Sequence, residues 1–343
     1  MLKNGIQLAF IAALVGLAWL IVKKPPQPIV ADSQSIASQT ATDQSTNSET
    51  SDAPILTPSL APSAQGGSLN GKLYLKINRG QGIQINEIDL ATNQNRVLVK
   101  STATERIIDT ANLQPSSDSL VYLLETDSGT NLMASGLKSG QSSRLIENFI
   151  ATEAPALSPD SSQLAFTSFT NAEPNVGFTL YTASLNGQNR QKLLSDNSGI
   201  SRVSYHPNKK ELLLFKGSTK NNQLISWSLL GKAEQSIYQA KNQTLIDYGL
   251  DSTGLIALSK SQTDNIKNGS ELLLIDRQKN SEIKLITSAQ IIESPTFLPG
   301  FQGLAYLEKS NQAQGQLKLI KLDGQPILSL EHSAEKILGI SGE

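Results

Sequence analysis

The chain has 343 residues, with 29 Lys and Arg against 30 Asp and Glu, two His and no Cys. The lack of cysteine excludes a disulfide framework, a thiolate metal centre and a thiol nucleophile. A formal charge of −1 excludes the broadly basic footprint of a nucleic-acid binder.

Charge is unevenly placed. Residues 1–24 carry three lysines and no acid, residues 25–67 carry four acids and no base, and the following 276 residues hold 26 of each sign. Gly5–Val22 is an 18-residue run without charge, broken by one amide, Gln7. As a helix at ~1.5 Å per residue it spans about 27 Å, close to the ~30 Å hydrocarbon core of a bilayer. Trp19 falls near one interface, where an indole prefers to sit. The rival reading is a cleaved signal peptide, with Ile29-Val30-Ala31 as the nearest small-residue site. Lys23-Lys24-Pro25-Pro26 interrupts before that site. Residues 1–24 are therefore expected to be an uncleaved membrane anchor, with the bulk of the chain exported. Residues 25–67 are expected to be a disordered linker. Ser and Thr supply 13 of the 37 residues from Ala31 to Gly67, and six prolines and no aromatic lie across 25–67. Such a composition buries too little apolar surface to offset the entropy of ordering.

From residue 68 the sequence repeats. Leu157-Ser-Pro-Asp-Ser-Ser-Gln-Leu-Ala-Phe166 is a turn followed by an apolar strand. It recurs around Leu113–Tyr122 and Leu298–Tyr306, and more weakly around Tyr205–Leu214 and Leu250–Leu258. A sixth strand, Leu73–Ile77, lacks the turn. The matched apolar positions are Tyr74, Tyr122, Phe166, Leu214, Leu258 and Tyr306, at spacings of 48, 44, 48, 44 and 48 residues. After each, a further strand ends in a tight turn, at Asp89-Leu90, Gly136-Leu137, Ser184-Leu185, Ser228-Leu229, Asp276-Arg277 and Lys321-Leu322. Asn186-Gly187 and Asp323-Gly324 are expected to supply positive φ for two-residue hairpins. Units of about 46 residues with four short strands mark propeller blades. The first unit opens at its second strand, and Lys336–Ser341 supplies a lone first strand at the other end. The expectation is an all-β, six-bladed β-propeller over 68–343, closed by pairing of Lys336–Ser341 with Leu73–Ile77. Closure removes the exposed edge of an open array.

The Ser-Pro-Asp-x-x-x-Leu-Ala-Phe unit at this period resembles the TolB-like propeller repeats, which also occur in the propellers of prolyl oligopeptidase-type enzymes. The resemblance covers residues 68–343 and is strongest at 149–195. It implies an extracytoplasmic propeller used to bind proteins. The anchor and linker depart from TolB itself, as does the want of room for its separate α/β domain.

Chemistry is sparse. No Gly-x-Ser-x-Gly elbow with a His partner occurs, so no catalytic residue is assigned. His206 and His332 each lack a second His or Cys at ligand spacing and read as solvated turn residues. No metal or cofactor is assigned. One constellation stands out. Six residues before each blade's Pro slot stand Asp109, Glu153, Ser201, Leu245, Glu293 and, by extrapolation, Gly339. These begin the innermost strands, so Asp109, Glu153 and Glu293 are candidate binding residues at a channel mouth, placed to attract a cation or a basic side chain. The plainer reading is that wet channel walls tolerate charge. The alternating spacing adds about four residues to every second connection between second and third strands, at Asn78–Gln84, Thr170–Phe178 and Ser261–Ser270. Those connections should share a face with the carboxylates.

The functional expectation is a membrane-tethered, extracytoplasmic protein-interaction or scaffold module with protein partners in the cell envelope and no nucleic-acid partner. Alternatives are a small-molecule or glycan binder at the channel, and a sensor whose ligand alters partner binding.

Overall fold

The computed structural model describes residues 71–341, apart from 79–81, 114–117, 170–176, 219–221, 264, 299–301 and 311–314. The expected anchor and linker lie outside the described residues, as does most of the Thr170–Phe178 connection.

The strands follow the repeat. They are β1 (Lys72–Asn78), β2 (Ile83–Asp89) and β3 (Asn95–Lys100), then β4 (Arg106–Thr110), β5 (Ser119–Thr126), β6 (Gly129–Gly136) and β7 (Ser142–Ile146). Next come β8 (Ala156–Leu157), β9 (Gln163–Phe169), β10 (Phe178–Ser184) and β11 (Gln191–Asp196), then β12 (Ile200–Tyr205), β13 (Glu211–Lys216), β14 (Gln223–Ser228) and β15 (Glu234–Gln239). The last are β16 (Leu245–Leu250), β17 (Ile256–Ser261), β18 (Ser270–Asp276) and β19 (Ser281–Ser288), then β20 (Ile291–Phe297), β21 (Gly303–Lys309), β22 (Gly315–Lys321), β23 (Pro326–Ala334) and β24 (Lys336–Ser341). They form six four-stranded antiparallel sheets, β24-β1-β2-β3 being blade one and the rest following in chain order. Ring closure is as expected: β24 pairs with β1, from Lys72 opposite Ser341 to Lys76 opposite Lys336.

Composition explains the layering. Second strands such as Leu212-Leu-Leu-Phe215 are continuous apolar runs because each is covered by a neighbouring blade on both faces. Outer strands such as β3 and β15 are polar and largely exposed. The six marker residues are all buried. Among the described residues the core divides into six clusters, each drawn from two adjacent blades. Tyr74 packs with Tyr122 between blades one and two, and Leu307 with Ile337 between blades six and one.

The six turns expected after the third strands fall at the ends of β2, β6, β10, β14, β18 and β22. The first turn residue repeatedly donates its N–H to the carbonyl just before the second strand, as Leu137 does to Asp118 and Leu229 to Lys210. The Asn-Gly and Asp-Gly turns correct the expectation. Gly187 and Gly324 have φ of 80° and 84°, but Asn186 and Asp323 do not adopt positive φ. Gly187 donates to the Ser184 carbonyl, so the glycine follows a turn of ordinary hand in a longer loop. In the Ser158-Pro159-Asp160 turn, Asp160 accepts from the Ser158 and Ser162 hydroxyls and the Ser162 amide, and these bonds hold its carboxyl far below its usual pKa. His332 lies in β23, not in a turn.

Near the axis the innermost strands nearly touch. A Cβ on Gly249 would sit 2.0 Å from the Pro295 carbonyl oxygen of blade six. Gly249→Ala should therefore destabilise by about 1–3 kcal/mol through overpacking against backbone that cannot swing away. Thermal unfolding of the variant checks this, with Gly231→Ala, whose φ is not left-handed and whose added Cβ would meet the Ser228 hydroxyl at 3.3 Å, as the comparison.

Candidate functional site

Each innermost strand enters the channel from the face that carries the connections between second and third strands. Arg106 at the start of β4 lies opposite Glu125 near the end of β5, and Ile291 lies opposite Lys309. The candidate carboxylates and the strand ends that the long connections join therefore lie toward one side of the ring.

Asp109 and Glu153 bond to the neighbouring blade and Glu293 to a lysine of its own blade, so none of the three stands free. Asp109 accepts from the Ala154 amide of blade three at 2.7 Å. Glu153 accepts from the Arg202 amide of blade four at 2.9 Å. Glu293 accepts from the Lys309 ammonium at 2.6 Å, and that ammonium also reaches the Glu335 carbonyl at the entry to blade one. The remaining seams are closed in the same way by residues the sequence reading did not single out. Asp247 of blade five accepts from the Ser294 amide of blade six at 3.1 Å. The Tyr248 hydroxyl is shared between the Arg202 and Leu213 carbonyls of blade four. Lys336 of the closing strand donates to the Thr110 carbonyl of blade two at 2.9 Å. Every seam of the ring thus carries a polar side-chain bond in the channel wall.

Ser201 and Leu245 did not repeat the acidic pattern. The counting offset holds in blade four, where Ser201 lies opposite Phe215. In blade five it lands on Leu245, which is buried in an inter-blade core. Asp247, opposite Ser259, occupies the equivalent slot. In blade one the slot falls on Ile337, opposite Leu75, and not on Gly339. The signal that finds Asp247 is local: Ile107-Ile108-Asp109-Thr110 and Leu245-Ile246-Asp247-Tyr248 share a pattern of two aliphatic residues before the acid. In both, the carboxylate also accepts the next residue's amide.

Two cations interleave with the acids. Arg202 sits at a bulge with φ of 54°, a left-handed conformation that costs a non-glycine residue about 1–3 kcal/mol. Its Nε lies 3.9 Å from Asp247, and its pKa is raised by Asp247 first, against burial, and further by Glu153, Glu293 and Asp109. Lys336 approaches Asp109 at 4.0 Å, and burial pulls its pKa down against the pull of Asp109. For Asp109, burial works upward, but Lys336, the two amides and Lys76 prevail and hold it below the usual carboxylate range. The expected attraction for a basic side chain is thus met from within the chain.

A cavity of about 170 Å³ opens between these groups, lined by Asp109, Glu153, Arg202, Asp247, Tyr248 and Lys336 among others. Glu293 stands outside this lining, tied to Lys309. Among the described residues no three His, Cys, Asp or Glu side chains gather to hold a metal ion. His206 lies on the opposite face, in the turn between β12 and β13, where its Nδ1 accepts the Asn208 amide and burial lowers its pKa.

No protein-family model matches the chain, and no curated protein matches its sequence. Solved structures do match. TolB from Acinetobacter baumannii superposes with a TM-score of 0.64 at 17% identity, over 81% of this chain and 69% of that one. A nidogen/laminin complex gives 0.58 at 12%, over 79% and 97%. An oligogalacturonate lyase in complex with manganese gives 0.53 at 12%, over 76% and 73%. At these identities the likeness shows the fold: a TolB-like six-bladed β-propeller. Its neighbours include both enzymes and proteins captured in a protein complex.

Proposed function

We propose that this propeller is a protein-interaction module of the cell envelope, held outside the membrane by the anchor 1–24 and the linker 25–67, and that it meets its partner on the face that opens the channel. The observation that carries the reading is Ile150. It stands 70% exposed in the crossing from blade two to blade three, while the adjacent Phe149 is buried and packs on Phe166 at 4.9 Å between ring centres. The loop is thus fixed by one side chain and presents the next to solvent, three residues from Glu153. Loops on a rigid scaffold are where binding commonly resides, and a fixed apolar side chain beside a charged rim suits the centre of an interface. The named nidogen/laminin complex supports a propeller of this shape engaging another protein. The commitment of the channel carboxylates to the ring favours binding over acid–base chemistry.

Charge reversals at Glu153 and Glu293 would remove ring bonds along with surface charge, so they are poor probes of the face. Photo-crosslinkers placed singly at Ile150 and at Leu230 separate the two faces. Leu230 is 82% exposed in the turn after β14, on the opposite side. In native membranes the Ile150 position should give a discrete protein adduct and Leu230 none. Ile150→Asp should weaken capture about tenfold or more, as loss of an interface centre does, with unfolding unchanged. Adducts at Leu230 alone, or full capture by Ile150→Asp, would overturn the reading.

A further inference from the structure

We infer that the channel cavity is a binding site for a small zwitterion of the free amino-acid type, with Arg202 taking its carboxylate and Glu153 its ammonium. The two groups line the same cavity from adjacent blades. The Glu153 carboxylate accepts the backbone amide of Arg202 through Oε2, yet it forms no ion pair with the Arg202 guanidinium. Among the described residues Oε1 of Glu153 has no hydrogen bond, and the guanidinium has only the 3.9 Å approach of its Nε to Asp247. A guanidinium presents five N–H donors in a fork that matches a carboxylate. Here the two terminal nitrogens are unspent, although the backbone beneath is held in a strained left-handed turn that points to a fixed placement.

The surrounding charges select the ligand class. A simple anion at Arg202 would face Asp109, Glu153 and Asp247, and a simple cation at Glu153 would face Arg202 and Lys336. A molecule carrying both charges a few bonds apart satisfies both sides and is repelled by neither. The cavity of about 170 Å³ admits a small aliphatic amino acid. This site is independent of the partner-binding loops: failure of the crosslinking experiment leaves it standing, and the reverse holds too.

Isothermal titration calorimetry on the full-length chain tests it with L-alanine, acetate and methylammonium, each up to about 10 mM, where millimolar binding is measurable. L-Alanine should bind at least about tenfold more tightly than either half-ligand, since each supplies only one of two charge-assisted contacts. Glu153→Gln keeps an oxygen for the Arg202 amide and should weaken L-alanine about tenfold or more, as should Arg202→Gln. The ligand series needs no variant and so decides the matter even where a substitution disturbs the ring. No heat with L-alanine, acetate or methylammonium binding as well as L-alanine, or unchanged affinity in both variants would overturn the inference.

Discussion

Removal of Lys336–Glu343 is expected to turn a soluble ring into an aggregating open array. The segment supplies the innermost strand of blade one, and Ile337, Leu338 and Ile340 are each at most 4% exposed. Ile337 and Ile340 belong to the core shared with blade six, and Leu338 to the core shared with blade two. Loss of three such side chains, at about 2–5 kcal/mol each, approaches the whole stability of a typical domain, about 5–15 kcal/mol. It also strips β1 of its pairing, and an unpaired edge recruits other chains. Lys336 leaves as well, which frees the Thr110 carbonyl and uncovers Asp109. Size-exclusion chromatography and thermal unfolding of the truncated chain read the result. A soluble monomer with an unchanged unfolding temperature would mean that the pairing of β24 with β1 contributes nothing.

Asp247 should be the costliest single channel residue to lose. Its carboxylate is 9% exposed and accepts two amides, those of Tyr248 and Ser294, the second from the next blade. Asp247→Ala orphans both, at about 1–3 kcal/mol for each buried donor, so a loss of about 3 kcal/mol is expected. Asp247→Asn retains one oxygen and should lose about 1 kcal/mol. Arg202, whose side chain is 37% exposed, is only 3.9 Å from Asp247 and sits on strained backbone. Arg202→Ala should therefore cost less than about 1 kcal/mol, as a partly solvated ion pair does. Chemical denaturation of the three variants decides between the two contributions. If Arg202→Ala proves as damaging as Asp247→Ala, the ionic link to blade four and not the amide bonding accounts for the cost of losing Asp247.

The blades were legible because each repeat writes its constraints locally. An apolar run such as Leu212–Phe215 must be covered on both faces, and turns such as Ser158-Pro159-Asp160 can fold from their own side chains. The channel was legible only in part, for a reason visible in the register. In blades four and six the innermost strand takes in an extra residue between Ser201 and Ser204 and between Glu293 and Thr296. In blade five the bulge falls earlier, between Leu245 and Asp247, and six residues separate the paired Tyr205 and Leu212 where only five separate Leu250 and Ile256. Counting backward from the turn therefore overshoots by two in blade five and lands on Leu245. Arg202 escaped notice for a related reason. A bulge aims it into the channel from a position that simple alternation along a strand would not single out. Lys336 lies on the closing strand whose pairing was expected, but counting placed that strand's channel slot at Gly339 and passed over the lysine.

That pairing also sets a clock. Lys72 and Ser341 are partners separated by 269 positions, so blade one remains a three-stranded fragment until Lys336–Ser341 has been made. At a synthesis rate of about 5–20 residues per second, the wait lasts on the order of tens of seconds. Contacts of such range also fold slowly, since the chain must be brought together before they return any stability. Meanwhile β1 presents a bare edge, which is open to pairing with another chain. The strand that ends this interval also delivers Lys336 to the channel wall. A chain that lacks Lys336–Ser341 therefore lacks both a closed ring and a complete cavity wall.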